Sequence, residues 1–244
     1  MHIHSLPTPF KSSRDGANVT ILVLHYTGTQ TSQDALDILS GRSGKEVSAH
    51  YTIDEDGSVY QHVDEAEKAW HAGISHWRGI ENVNANSVGI EIVNPGHDYG
   101  YRPFPKSQML AVAEVSRQII TKYAIEARNV IGHSEVAPSR KWDPGELFDW
   151  PWLAENGVGL WPEFGKRAVS NVNLLMKGDS NARVASMQQR LAAYGYGVPQ
   201  SGEFCARTND VAIAFQRHWR PQDISGNWDP DSDARLDELL ECVR

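Results

Sequence analysis

The sequence predicts an α/β domain, a central mixed sheet flanked by helices, followed by a small all-α bundle of three helices. Three observations carry this. Short apolar runs at Ile21-Leu22-Val23-Leu24 and Val130-Ile131 read as strands buried on both faces. Segments of helical period and one hairpin signal alternate with them. After Trp150-Pro151-Trp152 the pattern changes, and from Lys177 onward only short helical patterns remain.

Taken in order, residues 1–18 are polar, carry Pro7, Pro9 and Gly16, and read as a loosely held entry segment with His2 and His4 as exposed bystanders. The run at 21–24 ends at His25. Ser32 caps a helix through Leu39, stopped by Gly41. Residues 48–53 and 58–63 form a hairpin across Asp56-Gly57. Trp70-His71-Ala72-Gly73 falls in an irregular stretch. In 87–93, Val88, Ile90 and Ile92 take one face and Gly89, Glu91 and Val93 the other, until Asn94-Pro95-Gly96 ends the strand. Met109, Val112, Ala113, Ile119, Ile120 and Tyr123 recur at helical spacing within 107–123. Residues 153–173 show no periodicity and read as a connector, so the domains divide at 1–173 and 174–244. The tail patterns are Val184, Met187, Gln188 and Leu191, then Val211, Ala214, Phe215 and His218, then Leu236, Leu239 and Leu240. Gly-rich turns separate them, and about 65 residues lie near the lower limit for independent folding.

Composition narrows the function classes. A net charge of −8 without a basic stripe argues against a sequence-independent nucleic-acid binder. No apolar run approaches the ~20 residues that span a bilayer, so no transmembrane segment is expected. The first residues show no charged start followed by an apolar stretch, so no export signal is visible. Cys205 and Cys242 are either a disulfide pair or two buried thiols.

The chemistry concentrates in IGHSEVAPSRKWDPG, residues 131–145. Its prolines remove backbone donors and restrict their neighbours, so it reads as a loop rather than a helix or strand. His133 and Asp143 are two candidate zinc ligands, and His25 is the best third. Taken alone, a histidine after an apolar strand is more often a hydrogen-bonded core residue. Two sheet segments that each end in His, with an acid ten residues past the second, weigh against coincidence. A catalytic zinc takes three protein ligands and keeps one open position. A His₂Asp set leaves residual positive charge that pulls the pKa of a bound water toward ~7. Glu91 is either a solvent-facing charge or a general base, and its face neighbours Gly89 and Val93 favour the second. Lys141 is either a surface lysine or a stabiliser of an oxyanion.

The spacing H-x7-K-x-D-P-G from His133 to Gly145 resembles the zinc loop of N-acetylmuramoyl-L-alanine amidases of the AmpD/AmiD type. So do VLHYT around His25, SAHY around His50, AWHAGIS at 69–75 and SVGIEIVN around Glu91, all in family order. The resemblance implies the fold shared with peptidoglycan-recognition proteins, and one Zn²⁺ held by His25, His133 and Asp143. It further implies Glu91 as the catalytic carboxylate, Lys141 as the stabiliser of the intermediate, and Trp70, His71, Ala72, Asn94 and Ala137 lining the groove. His50 lies near that groove or is structural. MQQRL, YGY, GEF, VAIAFQ and SGNWD in the tail resemble a peptidoglycan-binding module. The implied activity is hydrolysis of the lactyl–L-alanine amide bond of peptidoglycan or anhydro-muropeptides by a zinc-bound hydroxide. The implied state is a monomer in the bacterial cell envelope or periplasm, with a cytoplasmic location open. Two rival readings remain: a non-catalytic peptidoglycan-recognition binder, and a zinc endopeptidase acting on the stem peptide.

Overall fold

In the computed structural model, which describes residues 2–165 and 173–243, alternation along three central strands sets the architecture. The strands are β1 (Ile3–Ser5), β2 (Lys11–Ser12), β3 (Ile21–Tyr26), β4 (Tyr51–Ile53), β5 (Val59–Gln61), β6 (Lys68–Ala69), β7 (Ser87–Ile92) and β8 (Val130–Gly132). The helices are α1 (Ser32–Leu39), α2 (Val83–Asn86), α3 (Gly96–Tyr99), α4 (Lys106–Tyr123), α5 (His133–Val136), α6 (Trp150–Glu155), α7 (Ala182–Tyr194), α8 (Ala206–Trp219) and α9 (Pro230–Cys242). Six strands form one sheet in the order β1-β5-β4-β7-β3-β8, and β2 pairs with β6 in a separate ribbon. Within the large sheet only the hairpin β4–β5 is antiparallel, so the sheet is mixed as the sequence predicts.

Successive side chains of a strand point to opposite faces, so each strand feeds two cores. Leu22, Leu24, Val88, Ile90 and Ile92 pack on one face against Met109, Val112, Val115 and Ile119 of α4. Ile21, Val23 and Ile131 point to the other face, and there Trp77, Val136 and Ala137 join Met187, Leu191, Tyr194, Phe215 and Trp219 in one cluster. The three tail helices form as expected. They do not, however, build a core of their own; they share one with the sheet. The turn after α7 fixes the seam. Arg78 N donates to Gly195 O at 2.9 Å, Gly195 has φ +149°, and a Cβ there would lie 2.9 Å from Arg78 Cγ. Only glycine fits that approach.

Other expectations are revised. The entry segment is tied down: β1 pairs with β5, and buried Arg14 donates to Glu65 O, Ala85 O and Ser87 O. The cap of α1 is Thr31, whose Oγ1 accepts from Asp34 N, while the Ser32 hydroxyl donates to Asp54. The segment read as a loop from residue 131 begins with strand and helix, because the restriction imposed by Pro138 starts only after Val136. Of the connector, residues 153–155 end α6 and 166–172 lie outside the described residues. Cys205 and Cys242 are free thiols, one half-buried and one exposed, so neither alternative for them holds.

A shared core predicts shared unfolding. Trp77 is fully buried where sheet and tail meet. Trp77→Ala is expected to lower stability by about 3–5 kcal/mol, and calorimetry should show one transition for the whole chain. Two separated transitions would contradict the shared core.

Candidate metal centre and active site

Three donor atoms converge because of strand geometry. His25 continues the Ile21–Val23 face of β3, and its register partner across the parallel pair is Glu91 on β7. On the other side of β3, Val23 pairs with Ile131, so His133, two residues further, emerges on that same face. Ser134 N donates to Asp143 O at 2.9 Å, folding the distal half of the loop back over α5. His25 Nδ1 then lies 2.9 Å from His133 Nδ1 and 3.1 Å from Asp143 Oδ2, and the last two are 3.0 Å apart. All three side chains are buried, and their ligand atoms lie within 4.8 Å of one another.

The surrounding hydrogen bonds decide which nitrogens are protonated. The Ser87 hydroxyl donates to Val83 O at 2.6 Å, so Ser87 Oγ accepts from His71 Nε2 at 3.1 Å. His71 Nδ1 is therefore an acceptor, and His25 Nε2 donates to it at 3.0 Å. His133 Nε2 donates to Ala72 O at 3.1 Å. In neutral rings held by these bonds both Nδ1 atoms are bare lone pairs, and with the Asp143 carboxylate they aim three acceptors at one point. Such a cluster fits a cation. Tetrahedral ligands at metal–nitrogen distances near 2.0–2.1 Å stand ~3.3 Å apart, close to the spacing seen. Burial pushes the pKa of His25 down to about 4, the neighbouring His133 adds to this and Asp143 opposes it, so the ring is neutral and able to ligate at pH 7.

Glu91 stands beside this cluster. Its Oε2 is buried without a hydrogen-bond partner among the described residues. Burial pushes its carboxyl well above the usual range, Asp143 reinforces the shift and Lys141 opposes it. A cleft of about 590 Å³ opens over the cluster, lined by Glu91, His133, Lys141 and Asp143 together with Trp70, His71, Arg140 and the half-exposed Trp142.

Of the residues expected to line the groove, Trp70 and His71 do. Four others do not. His50 is fully buried, its Nδ1 accepting from Gly89 N and its Nε2 donating to Glu67 O. Asn94 is fully buried, donating to Arg102 O and accepting from Gly96 N. Ala72 acts through its carbonyl, which receives His133 and Arg140. Ala137 lies outside this cleft, and its carbonyl takes the amide of Lys141. These four hold the frame of the site. Sequence reading missed Ser87 and the part played by Gly89, where a Cβ would sit 2.5 Å from the His71 ring. The alternation Ser87-x-Gly89-x-Glu91 carried the signal: a hydroxyl, a gap and a carboxylate on one strand face. It also missed Arg140 and Trp142, for which a lone arginine and tryptophan in a loop give no signal.

Comparison with known proteins places this geometry. Residues 15–146 match the family model described as N-acetylmuramoyl-L-alanine amidase, and residues 180–232 match one described as a peptidoglycan binding domain. The chain belongs to the N-acetylmuramoyl-L-alanine amidase family. It is 35% identical over 238 residues to the N-acetylmuramoyl-L-alanine amidase AmiD of Escherichia coli, a match covering 91% of this chain and 83% of that protein. It is 35% identical over 163 residues to the 1,6-anhydro-N-acetylmuramyl-L-alanine amidase AmpD of Citrobacter freundii, covering 59% of this chain and 84% of that one. The solved complex of E. coli AmiD with the substrate anhydro-N-acetylmuramic acid-L-Ala-D-γ-Glu-L-Lys superposes with a TM-score of 0.79 at 34% identity, over 95% of this chain and 90% of that one. The three converging ligand atoms of His25, His133 and Asp143, and Glu91 and Lys141, fall within the first family match.

Buried neutral histidines make a pH prediction. Burial pushes His50 down to about 3 and His62 to about 4, as it does His25. In the unfolded chain a histidine titrates near ~6.5. The folded pKa is the lower one, so these groups contribute stability above pH ~6.5, and it is lost as pH falls toward about 4. The melting temperature without added metal should be level above neutrality and fall steadily through that window. A flat profile between neutrality and pH ~5 would show that the three rings are not held neutral.

Proposed function

We propose that this amidase hydrolyses the amide between the lactyl group of N-acetylmuramic acid and the L-alanine of the stem peptide, using one Zn²⁺ held by His25, His133 and Asp143. The observation that carries the reading is three buried ligand atoms converging beside a carboxylate oxygen that has no hydrogen-bond partner among the described residues. When bound, zinc supplies a Lewis acid that makes water a nucleophile near neutral pH and polarises the scissile carbonyl.

The chain's own residues do the rest. Glu91 Oε2 takes a proton from the attacking water, and the burial that pushes its carboxyl well above the usual range favours its holding that proton. The same oxygen then gives that proton to the L-alanine nitrogen as the C–N bond breaks, releasing a lactyl carboxylate and a free amine. Lys141, at the cleft wall, offers its ammonium to the oxyanion of the tetrahedral intermediate. His71 and Ala72 hold His25 and His133 in the ligating tautomer. Trp70 and the exposed Trp142 flank the opening and give flat apolar surfaces to sugar and stem peptide. Substrates are peptidoglycan or anhydro-muropeptides, the class carried by the AmiD complex. The match of residues 180–232 to a peptidoglycan binding domain supports work in the cell envelope.

Two measurements test this. Incubation with intact sacculi and with soluble anhydro-muropeptides, read by product mass, should yield free L-alanine amine ends, whereas cuts within the stem peptide would mean an endopeptidase. Glu91→Ala should keep stoichiometric zinc but lose about 10²–10⁴-fold in turnover; unimpaired hydrolysis would remove Glu91 from the mechanism. For the relay behind His25, His71→Ala should weaken zinc binding by about 10–100-fold in a chelator competition. Unchanged affinity would mean that the His25 tautomer is set elsewhere.

A further inference from the structure

Glu135 is a carboxylate with 0% exposure, two residues after His133 on α5. No step above uses it. Its Oε2 accepts from Gly132 N at 2.8 Å, the amide at the mouth of α5. Its two other partners come from the tail. Tyr196 donates its hydroxyl to Oε1 at 2.6 Å, and His218 Nδ1 donates to Oε2 at 2.7 Å. Tyr196 Oη in turn accepts from Trp219 Nε1 at 3.1 Å. The His218 ring is clamped between Trp150 and Trp219, with centroids 3.8 and 3.7 Å away and planes within 17° and 7° of parallel. Every member of this network is buried.

From this geometry we infer that the C-terminal helices are a working part of the metal centre, with Tyr196 and His218 positioning His133 through Glu135. The physical reason is local. A four-residue helix has almost no stability of its own, yet α5 must carry a metal ligand at its first residue. Its first turn is fixed by the carboxylate, which ties Glu135 back to Gly132. That carboxylate stays in the interior only while tail donors satisfy it, since a buried charge that loses its partners is strongly disfavoured. Gly132 is also the contact for the other half of the zinc loop: a Cβ there would meet Pro144 Cδ at 2.7 Å. A shift of Gly132 therefore moves His133 and Asp143 together. The tail's docking turn is built for this placement, because Gly195 and Gly197 let it close on residues 76–78 and leave Tyr196 pointing at Glu135. The contact crosses the two family matches: Glu135 lies in the first, Tyr196 and His218 in the second. The helical module thus does more than hold wall polymer. It completes the frame around a ligand that belongs to the catalytic part.

The inference rests on the zinc reading of His25, His133 and Asp143, and the experiment separates the two. Zinc affinity is measured on the full chain by chelator competition, with kcat and KM on a soluble anhydro-muropeptide and a melting curve for each variant. Tyr196→Phe and His218→Leu should raise the zinc Kd about tenfold and lower kcat while KM holds. His218→Gln, which keeps a planar N–H donor, should stay within about threefold of the parent. If the ring only filled space between two tryptophans, Leu would serve at least as well as Gln. Folded Tyr196→Phe and His218→Leu proteins with Kd within about twofold of the parent would overturn the inference. Should either variant fail to fold, hydrogen exchange of residues 130–137 in the zinc-free parent decides: exchange as slow as in β3 supports the clamp, and rapid exchange refutes it. A parent that binds no zinc would sink the metal reading, while the exchange result would still judge the clamp.

Discussion

Pairing His25 with Glu91 across β3 and β7 sets an imidazole and a carboxylate side by side where the sheet ends. The rest of the site depends on that register. A slip of one residue would turn His25 into the α4 core and bring Leu24 to the cleft, since side chains alternate with period two. The slip is prevented by apolar residues on both faces: Leu22 and Leu24 on one, Ile21 and Val23 on the other. The two hydrophobic cores thus hold this arrangement, and β8 delivers His133 to the same face by the same alternation.

Around this pair, polar groups are arranged so that each buried donor meets an acceptor until the chain of bonds reaches the cleft. Ser87, His71 and His25 form one such line and Ala72 and His133 another. Each ends in a bare nitrogen. Glu91 Oε2 is left without a partner beside them. An unsatisfied buried atom is costly and uncommon, and this one lies beside the cluster, where a cation and a reacting water would satisfy it.

The tail changes meaning once its packing is seen. As a sequence it reads as a bundle near the minimum size for folding alone, a tether to polymer. In three dimensions its apolar stripes join Trp77 and the Ile21–Val23 face of the sheet in one cluster, and its Tyr196 and His218 reach a carboxylate two residues from His133. A module at the size limit that lends its core to a neighbour gains stability from the shared burial, and the neighbour gains an ordered loop.

Much of this was legible in the residues. The two apolar runs ending in histidine, the hairpin at Asp56-Gly57, the alternation of 87–93 and the periods of α4, α7, α8 and α9 are local patterns, and local patterns survive in one dimension. The set His25, His133 and Asp143, which the fold brings together, and Glu91 beside it stood out because each sits at a strand end or in a proline-bounded loop. The roles of His50, Asn94, Ala72 and Ala137 were not, because whether a polar group meets substrate or a backbone partner depends on what packs over it. Nor were Gly89 as a seat for His71, or Tyr196 and His218 as partners of Glu135, since these contacts join residues 18 to 83 positions apart. Sequence determined which side chains are chemically able and which face of each strand they take, through the period of the backbone. Tertiary structure alone decided which buried groups satisfy one another and which are left bare, because that is settled by close packing of segments distant in the chain.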